Sequence, residues 1–345
     1  VEIGATISSL DPAVAASNSQ EAAKAQLEAL IYDHRNPDKT FAGAGAFRVS
    51  AWEPGKSVTL AANDDYRGGR PFVDSIEIQM GRSARDRLLD IELNKTDFAE
   101  IPAEQARHAS ERGVRTSTSQ PDELLALVFV TGHPVAENMR MRGAMARAID
   151  RAAIVNFILQ KTGEPAGGLL PQWSSGTAFL FSTAADVARA KELSSQITPS
   201  PRLVLGYDFA DPLEHSVAER IVVNARDAGI TVTPDPIQRS ASPQLDARLE
   251  RWRMESQHPR ESLANFIETL RAESIDSGEA CESLPEPATP EQIYACERGI
   301  ISSYRVVPLV WLPQVYGLSA RVRDWKAPAP GEGWALADVW LDGEA

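Results

Sequence analysis

Gly43–Ile78, GAGAFRVSAWEPGKSVTLAANDDYRGGRPFVDSIEI, reads as three strands joined by two tight turns. Phe47, Val49 and Ala51 alternate, Pro54-Gly55 supplies a turn, and alternation resumes at Val58 and Leu60. A period of two sets one face of each strand against a core, while Pro and Gly punctuate the run. Gly68-Gly69 makes the second turn, ahead of Val73, Ile76 and Ile78. The opening GAGAF begins like a dinucleotide fingerprint, but strand alternation rather than a helix follows it. Gly43-Ala44-Gly45 also lacks the lysine and the helix that would make it a phosphate-binding loop.

Outward from this stretch, apolar periodicity predicts a helix over Arg82–Leu93, a shorter one over Ala103–Arg112 closed by Gly113, and a buried strand over Leu124–Val130. Met141, Met145, Ala148, Ile149, Ala152, Val155 and Leu159 recur at three- and four-residue steps, as in one buried helix stripe closed by Lys161 and Gly163. Arg147, Asp150 and Arg151 read as its solvated or salt-bridged face. Strand Leu203–Asp208, helix Leu213–Ala228 and strand Ile230–Thr233 form a βαβ unit, which requires a parallel sheet covered by helices. A strand over Asp246–Met254, helices over Arg260–Leu270 and Glu291–Ser303, and an apolar strand over Val306–Trp311 complete the pattern.

The chain has 345 residues, enough for two domains with separate cores. Its formal net charge of −13 argues against binding nucleic acid or anionic membrane by counterion release. No apolar run approaches the ~18 residues of a membrane helix. Cys281 and Cys296, the two cysteines, flank an acidic Pro-rich loop. In an oxidising compartment they can pair; the other reading is two small buried hydrophobes. The five histidines are scattered, with no H-E-x-x-H, C-x-x-C or G-x-S-x-G arrangement, so no enzyme chemistry, metal site or cofactor is expected. Asp208, Asp211 and His215 are metal-ligating types, but Asp211 ahead of Pro212 reads as a helix N-cap with Pro at the first helical position.

Three strings carry a family resemblance. Gly43–Ile78 resembles the G-T-G-P-F-x-V…W-x-P-G…Y-W-G-G-x-P-x-x-D-x-I run of the extracellular family 5 solute-binding proteins of ABC importers, with Ala44, Ala46 and Arg67 departing from it. Val135–Pro171 resembles that family's V-R-x-A-L-x-x-A-I-D-R-x-x-I helix, and Val306–Trp311 its return strand. Ser9-Leu10-Asp11-Pro12, ahead of a helix over about Gln20–Tyr32, is similar to the N-terminal entry. The resemblance implies an α/β, two-lobed periplasmic-binding-protein-like fold with hinge strands. The gap HRNPDKTFA before the Gly-rich strands implies that the accessory subdomain of lobe I is missing. Lobe I is expected over 1–127 plus 306–345, lobe II over 128–305, and the ligand cleft between them.

The same resemblance implies a monomer, periplasmic or extracellular, that captures a small solute, most often a peptide, and delivers it to a membrane permease. The alternative is a sensor or scaffold protein of the same fold that has lost transport. Ligands in open α/β sheets sit beyond the carboxyl ends of parallel strands, which selects candidates just after strands. In oligopeptide-binding relatives a strand ends W-x-x-D and the Asp pairs with the peptide α-amine; here the string is Trp252-Arg253-Met254-Glu255, with Pro259 at the family spacing. Glu255 is accordingly a candidate ammonium partner, with pairing to Arg251 or Arg253 as the alternative. Trp173, on a loop before Ser174-Ser175-Gly176, and Tyr207, at a strand end, are candidate ligand walls. Tyr316 lies near the return crossing, where Trp311 reads as core.

Overall fold

A computed structural model describes residues 45–237, 245–282 and 284–343. The expected N-terminal entry at Ser9–Pro12 and the helix over Gln20–Tyr32 lie outside the described residues. The chain divides into two compact units, one of Val1–Ile101, Ala109–Thr118 and Val315–Ala345, the other of Pro102–His108 and Ser119–Gln314.

In the first unit, strands β1 (Phe47–Glu53), β2 (Ser57–Ala62) and β3 (Ser75–Gln79) form an antiparallel sheet in that order. Gly55 and Gly69 take positive φ, 71° and 96°, in the two predicted turns. The alternation of β1 differs from the prediction. Val49 pairs with Leu60 and Ala51 with Thr59, leaving Ser50 as a bulge whose hydroxyl donates to the Thr59 carbonyl at 3.1 Å. One extra residue reverses the faces beyond it, so Ala51 is exposed and Trp52 turns inward. Helix α1 (Ala84–Glu92) is capped by Ser83, which accepts the Asp86 N–H. Strand β4 (Phe98–Ile101) follows. An aromatic core gathers Tyr316, Trp325 and Val339 against Phe98 and Trp334. The ring centroids of Tyr316 and Trp325 lie 4.7 Å apart, edge to face.

In the second unit the spine is β5 (Arg115–Phe129), whose residues from Ser119 onward belong here. The strand is longer than its apolar run predicts. Its first nine residues, RTSTSQPDE, show no apolar alternation and become strand through pairing alone. Leu124–Phe129 is fully buried because both faces are covered.

The stripe predicted as one helix is broken. Helix α2 (Met139–Ala148) stops at Ile149, which has extended geometry, and Asp150 then caps a new turn at Arg151–Ala153 by accepting the Ala153 N–H. The turn runs into a π-helical segment at Ile154–Ile158, which leaves Ala152 exposed instead of in the stripe. Arg151 is not on a solvated face either: it is 5% exposed. Its guanidinium donates to the carbonyls of Pro308 (2.7 Å), Ala146 (3.2 Å) and Ile149 (3.4 Å). The break frees the Ala146 and Ile149 carbonyls for that role, and burial pulls the Arg151 pKa down to about 10, still charged at neutral pH. Arg147 is half-buried against Tyr304.

A two-residue strand, β6 (Glu164–Pro165), precedes helix α3 (Val187–Ser195). The predicted βαβ unit is β7 (Arg202–Asp208), helix α4 (Pro212–Asp227) and β8 (Thr231–Ile237), with β7 and β8 parallel. Strand β9 (Ala247–Arg253) is parallel to β7 and antiparallel to β5. Helix α5 (Pro259–Ala272) buries Leu263, Phe266, Ile267 and Leu270, and helix α6 (Pro290–Ser302) begins with a capping box of Thr289 and Gln292. Strand β10 (Val306–Leu318) passes from this unit into the first, where Val315–Leu318 pairs with β4. Within the second unit the order is β10-β5-β9-β7-β8, with β6 on β10. The short strands β11 (Val322–Arg323) and β12 (Trp340–Leu341) pair in the first unit.

Cys281 and Cys296 are disulfide-bonded, tying the short helix Glu279–Glu282 to α6 across a sequence separation of 15. Closing a loop of that size contributes about 3 kcal/mol in the chain-entropy model. Intact mass is expected to rise by about two hydrogens on reduction, and the double variant Cys281→Ser/Cys296→Ser to lose stability of that order in urea unfolding. A thiol titration showing two free thiols in the unreduced protein would contradict the pairing.

Candidate functional site

The carboxyl ends of β7, β8 and β9 lie at one edge of the second unit's sheet, since the three strands run in one direction. β5 runs opposite, so its early residues arrive at the same edge, with Glu123 across from Arg253 and Leu124 across from Trp252. The N-terminus of α4 follows directly after β7. There Asp211 accepts the N–H groups of Leu213 and Glu214, as its place before Pro212 predicts. Among the described residues no group of His, Cys, Asp and Glu is arranged to hold a metal ion.

This edge is dense in charge. Arg251 donates to Glu123 at 2.6 Å and to Asp211 at 2.6 Å, and Arg253 reaches Glu123 at 3.2 Å. Burial works against the Arg251 charge, but Glu123 and Asp211 outweigh it and raise the pKa above its ordinary value. Burial pushes Glu214 up to about 7, with the Asp208 N–H it accepts at 2.7 Å opposing the shift. Glu104 is raised by burial as well, in the field of Asp211 and Arg251.

Beside this cluster, Asp122 is fully buried. One of its carboxylate oxygens accepts from the Gln314 amide and the other, Oδ1, has no hydrogen-bond partner. Burial pushes this carboxyl up to about 6, against the Gln314 hydrogen bond. Its backbone carbonyl accepts the Met254 N–H at 2.7 Å, which fixes the position of the next residue, Glu255. Glu255 is exposed, and its carboxylate accepts from the Asn265 amide at 3.4 Å. The arginine pairing weighed from sequence does not form, because Arg251 and Arg253 engage Glu123 and Asp211.

Trp173 reaches the same place from a different segment. Its indole N–H donates to the Pro121 carbonyl at 2.8 Å, and its ring packs partly buried against the core. The preceding backbone is held by Glu297 of α6, whose Oε1 accepts the N–H groups of Leu169 (2.6 Å) and Leu170 (2.9 Å). Gly168 is required there: a Cβ would stand 2.8 Å from that same oxygen and 2.8 Å from the Phe181 ring.

The five residues singled out from sequence are therefore placed unequally. Trp173 and Glu255 are each tied to the same stretch of β5, Trp173 by its bond to the Pro121 carbonyl and Glu255 through Met254, whose N–H donates to the Asp122 carbonyl. Trp252 lies three residues before Glu255 but points into the core beside Phe266, with ring centroids 5.9 Å apart and 7% exposure. Tyr207 ends β7 at this edge, yet is covered by His215, stacked at 5.2 Å. Tyr316 is not brought here; it lies in the aromatic core of the first unit. Asp122, Glu123 and Gln314 went unnoticed in sequence, where Asp122-Glu123 is only the polar lead-in to an apolar run.

The chain matches the family described as bacterial extracellular solute-binding proteins, family 5 (middle), over residues 9–271. It is 27% identical over 146 residues to the oligopeptide-binding protein AppA of Bacillus subtilis, covering 41% of this chain and 26% of that protein. The chain thus aligns with about a quarter of that relative's length. Among solved structures, the ABC transporter substrate-binding protein CtaP of Listeria monocytogenes matches with a TM-score of 0.71 at 17% identity, covering 87% of this chain and 67% of that one. Bacillus subtilis AppA in complex with a nonapeptide matches with a TM-score of 0.65 at 16% identity, covering 86% and 66%. At such identities the likeness establishes the fold, α/β and two-lobed, and the chain spans about two thirds of the length of those structures.

Glu297 offers a test of how this edge is held. It is fully buried, its Oε2 has no partner, and burial pushes it up to about 7. A carboxyl raised on folding binds its proton more tightly in the folded state, so its contribution is complete below the unfolded value near 4.3 and is lost as pH rises through about 7. Glu297→Gln keeps an oxygen for the Leu169 and Leu170 N–H groups without the charge. The variant is expected to gain on the wild type between about pH 4.5 and 7, by up to ~3 kcal/mol, and to hold that gain above. Urea midpoints at pH 4.5, 6 and 8 check this; a constant difference would contradict it.

Proposed function

The chain belongs to the bacterial extracellular solute-binding proteins of family 5, and on that premise we propose that it captures a short peptide outside the cytoplasm and passes it to a membrane permease of the ABC type. The observation that carries the reading is Glu255. Near a cluster where Glu123 and Asp211 are neutralised by Arg251 and Arg253, it is an exposed carboxylate with a neutral amide partner, on the sheet edge where the Trp173 indole is hydrogen-bonded to Pro121. Such a group fits the α-ammonium of a peptide through a charge-assisted hydrogen bond. Trp173 adds a broad apolar surface at little entropic cost, and its own N–H is already satisfied, so it favours no single side chain.

The relatives support peptide as the ligand by their names alone: AppA of Bacillus subtilis is an oligopeptide-binding protein, and its structure holds a nonapeptide. Capture without turnover follows from the same premise, as does a location beyond the cytoplasmic membrane. Among the described residues no helix is long and apolar enough to cross a membrane.

Native mass spectrometry of protein purified without refolding is expected to release a mass in the range of a short peptide. Glu255→Gln should weaken binding of a free-amine peptide by about tenfold or more, the loss expected for a hydrogen bond to a charged group. It should leave binding of the same peptide N-acetylated unchanged. No released mass, together with no binding from a pool of di- to pentapeptides by calorimetry, would overturn the reading. Peptide cleavage that survives repurification would overturn it in favour of an enzyme.

A further inference from the structure

Away from that edge, the second unit carries a pocket of opposite polarity. It has a volume of about 440 Å³ and is lined by α2 and the residue that caps it (Asn138, Met139, Arg140, Gly143, Arg147), by Arg189 and Leu193 of α3, and by Tyr304. Three of these eight residues are arginines and none is acidic. Arg147 lies over the Tyr304 ring at 4.9 Å, donating to the Tyr304 hydroxyl at 2.7 Å and to the Gly143 carbonyl at 2.9 Å. Two of its five N–H donors are thus used, both on neutral oxygens. Arg140 is exposed, and its side chain makes no hydrogen bond or ion pair among the described residues. Arg189 pairs with Glu192, one turn along the same helix. Asp186, which caps α3, also faces Arg189 but sits outside the lining.

The aromatic wall is held at a conformational cost. Tyr304 has φ +54°, the left-handed region that glycine or asparagine fills after a helix at little expense. A tyrosine there costs about 1 kcal/mol or more and places a ring and hydroxyl under Arg147. Gly143 keeps the space open: a Cβ would lie 3.3 Å from the Arg147 Nη1 and 3.5 Å from the ring. Met139, 56% exposed, and Leu193 supply apolar lining.

We propose that this pocket is a second binding site, for a small organic anion bearing a carboxylate or phosphate group. Arg147, pre-oriented by Tyr304 and Gly143, presents its free N–H fork to the anion. Arg140 and Arg189 add charge at the rim, and Met139 and Leu193 cover the ligand's apolar part. A guanidinium fork matches either group in two-point geometry, so the class is set by shared chemistry.

The test is calorimetric titration of the full chain with citrate and with inorganic phosphate, ionic strength held constant with sodium chloride. At least one is expected to bind with a dissociation constant below about 1 mM, a free energy of ~4 kcal/mol. Citrate alone would assign the carboxylate class, phosphate alone the phosphate class, and both the anionic group itself. Arg147→Gln should weaken binding by about tenfold and Arg140→Gln by severalfold, as expected for lost charge-assisted hydrogen bonds. Glu255→Gln should leave it unchanged, which separates this site from the peptide reading. Arg140→Gln removes an exposed side chain that has no partner among the described residues and serves as the fold-neutral variant should Arg147→Gln not fold. Wild-type binding weaker than 1 mM for both anions, or binding unaltered in the arginine variants, would overturn the proposal.

Discussion

The candidate peptide site depends on one interaction, the bridge from Arg251 to Glu123 and Asp211. It joins β9, β5 and the cap of α4, three segments far apart in sequence, at one sheet edge. The Glu123 and Asp211 side chains are 14% and 17% exposed, so each would carry a desolvation penalty if left alone. Removing the shared arginine would strand Asp211 and leave Glu123 to Arg253 alone, and breaking one buried pair costs about 3–5 kcal/mol. Arg253 then falls opposite Glu123 by strand register and finds its counter-ion there. Glu255 faces solvent, its carboxylate accepting, among the described residues, from the neutral Asn265 amide.

Local rules carried much of the fold. The three opening strands and their Gly turns, the Asp211-Pro212 helix start, and the parallel β7-α4-β8 unit were legible because each is decided by local pattern. The failures were non-local. Ser50 bulges because of its register against β2, which shifts the inward position from Ala51 to Trp52. The Met141–Leu159 stripe looks continuous in sequence. Asp150 capping Ala153 and Arg151 reaching the Pro308 carbonyl on a distant strand decide that it breaks. Nothing in the string AIDRAA says that its arginine lies inside.

The site was legible to the same extent. Glu255 and Trp173 could be named because one ends a strand and the other stands on a small-residue loop. Trp252 and Tyr316 shared their aromatic character but not their exposure, and sequence does not show which side of a strand meets a helix. In β9, Trp252 points to α5 while its neighbours Arg251 and Arg253 point to the charged face. That alternation sorts packing from chemistry.

Overall charge is a poor guide to the local polarity at either place. The chain carries −13, which would favour cations anywhere if the field were uniform. Salt screens exposed charges beyond about 8 Å, so each surface is read by its own first neighbours. At the sheet edge, two arginines are consumed by Glu123 and Asp211 and the residue left over is a carboxylate. Between α2 and α3, Arg147 meets a tyrosine hydroxyl and one backbone carbonyl, neutral acceptors that orient its guanidinium without cancelling it. Polarity is set at each place by what the arginines have already bound, and this is how an acidic protein can offer one face to an ammonium and another to an anion.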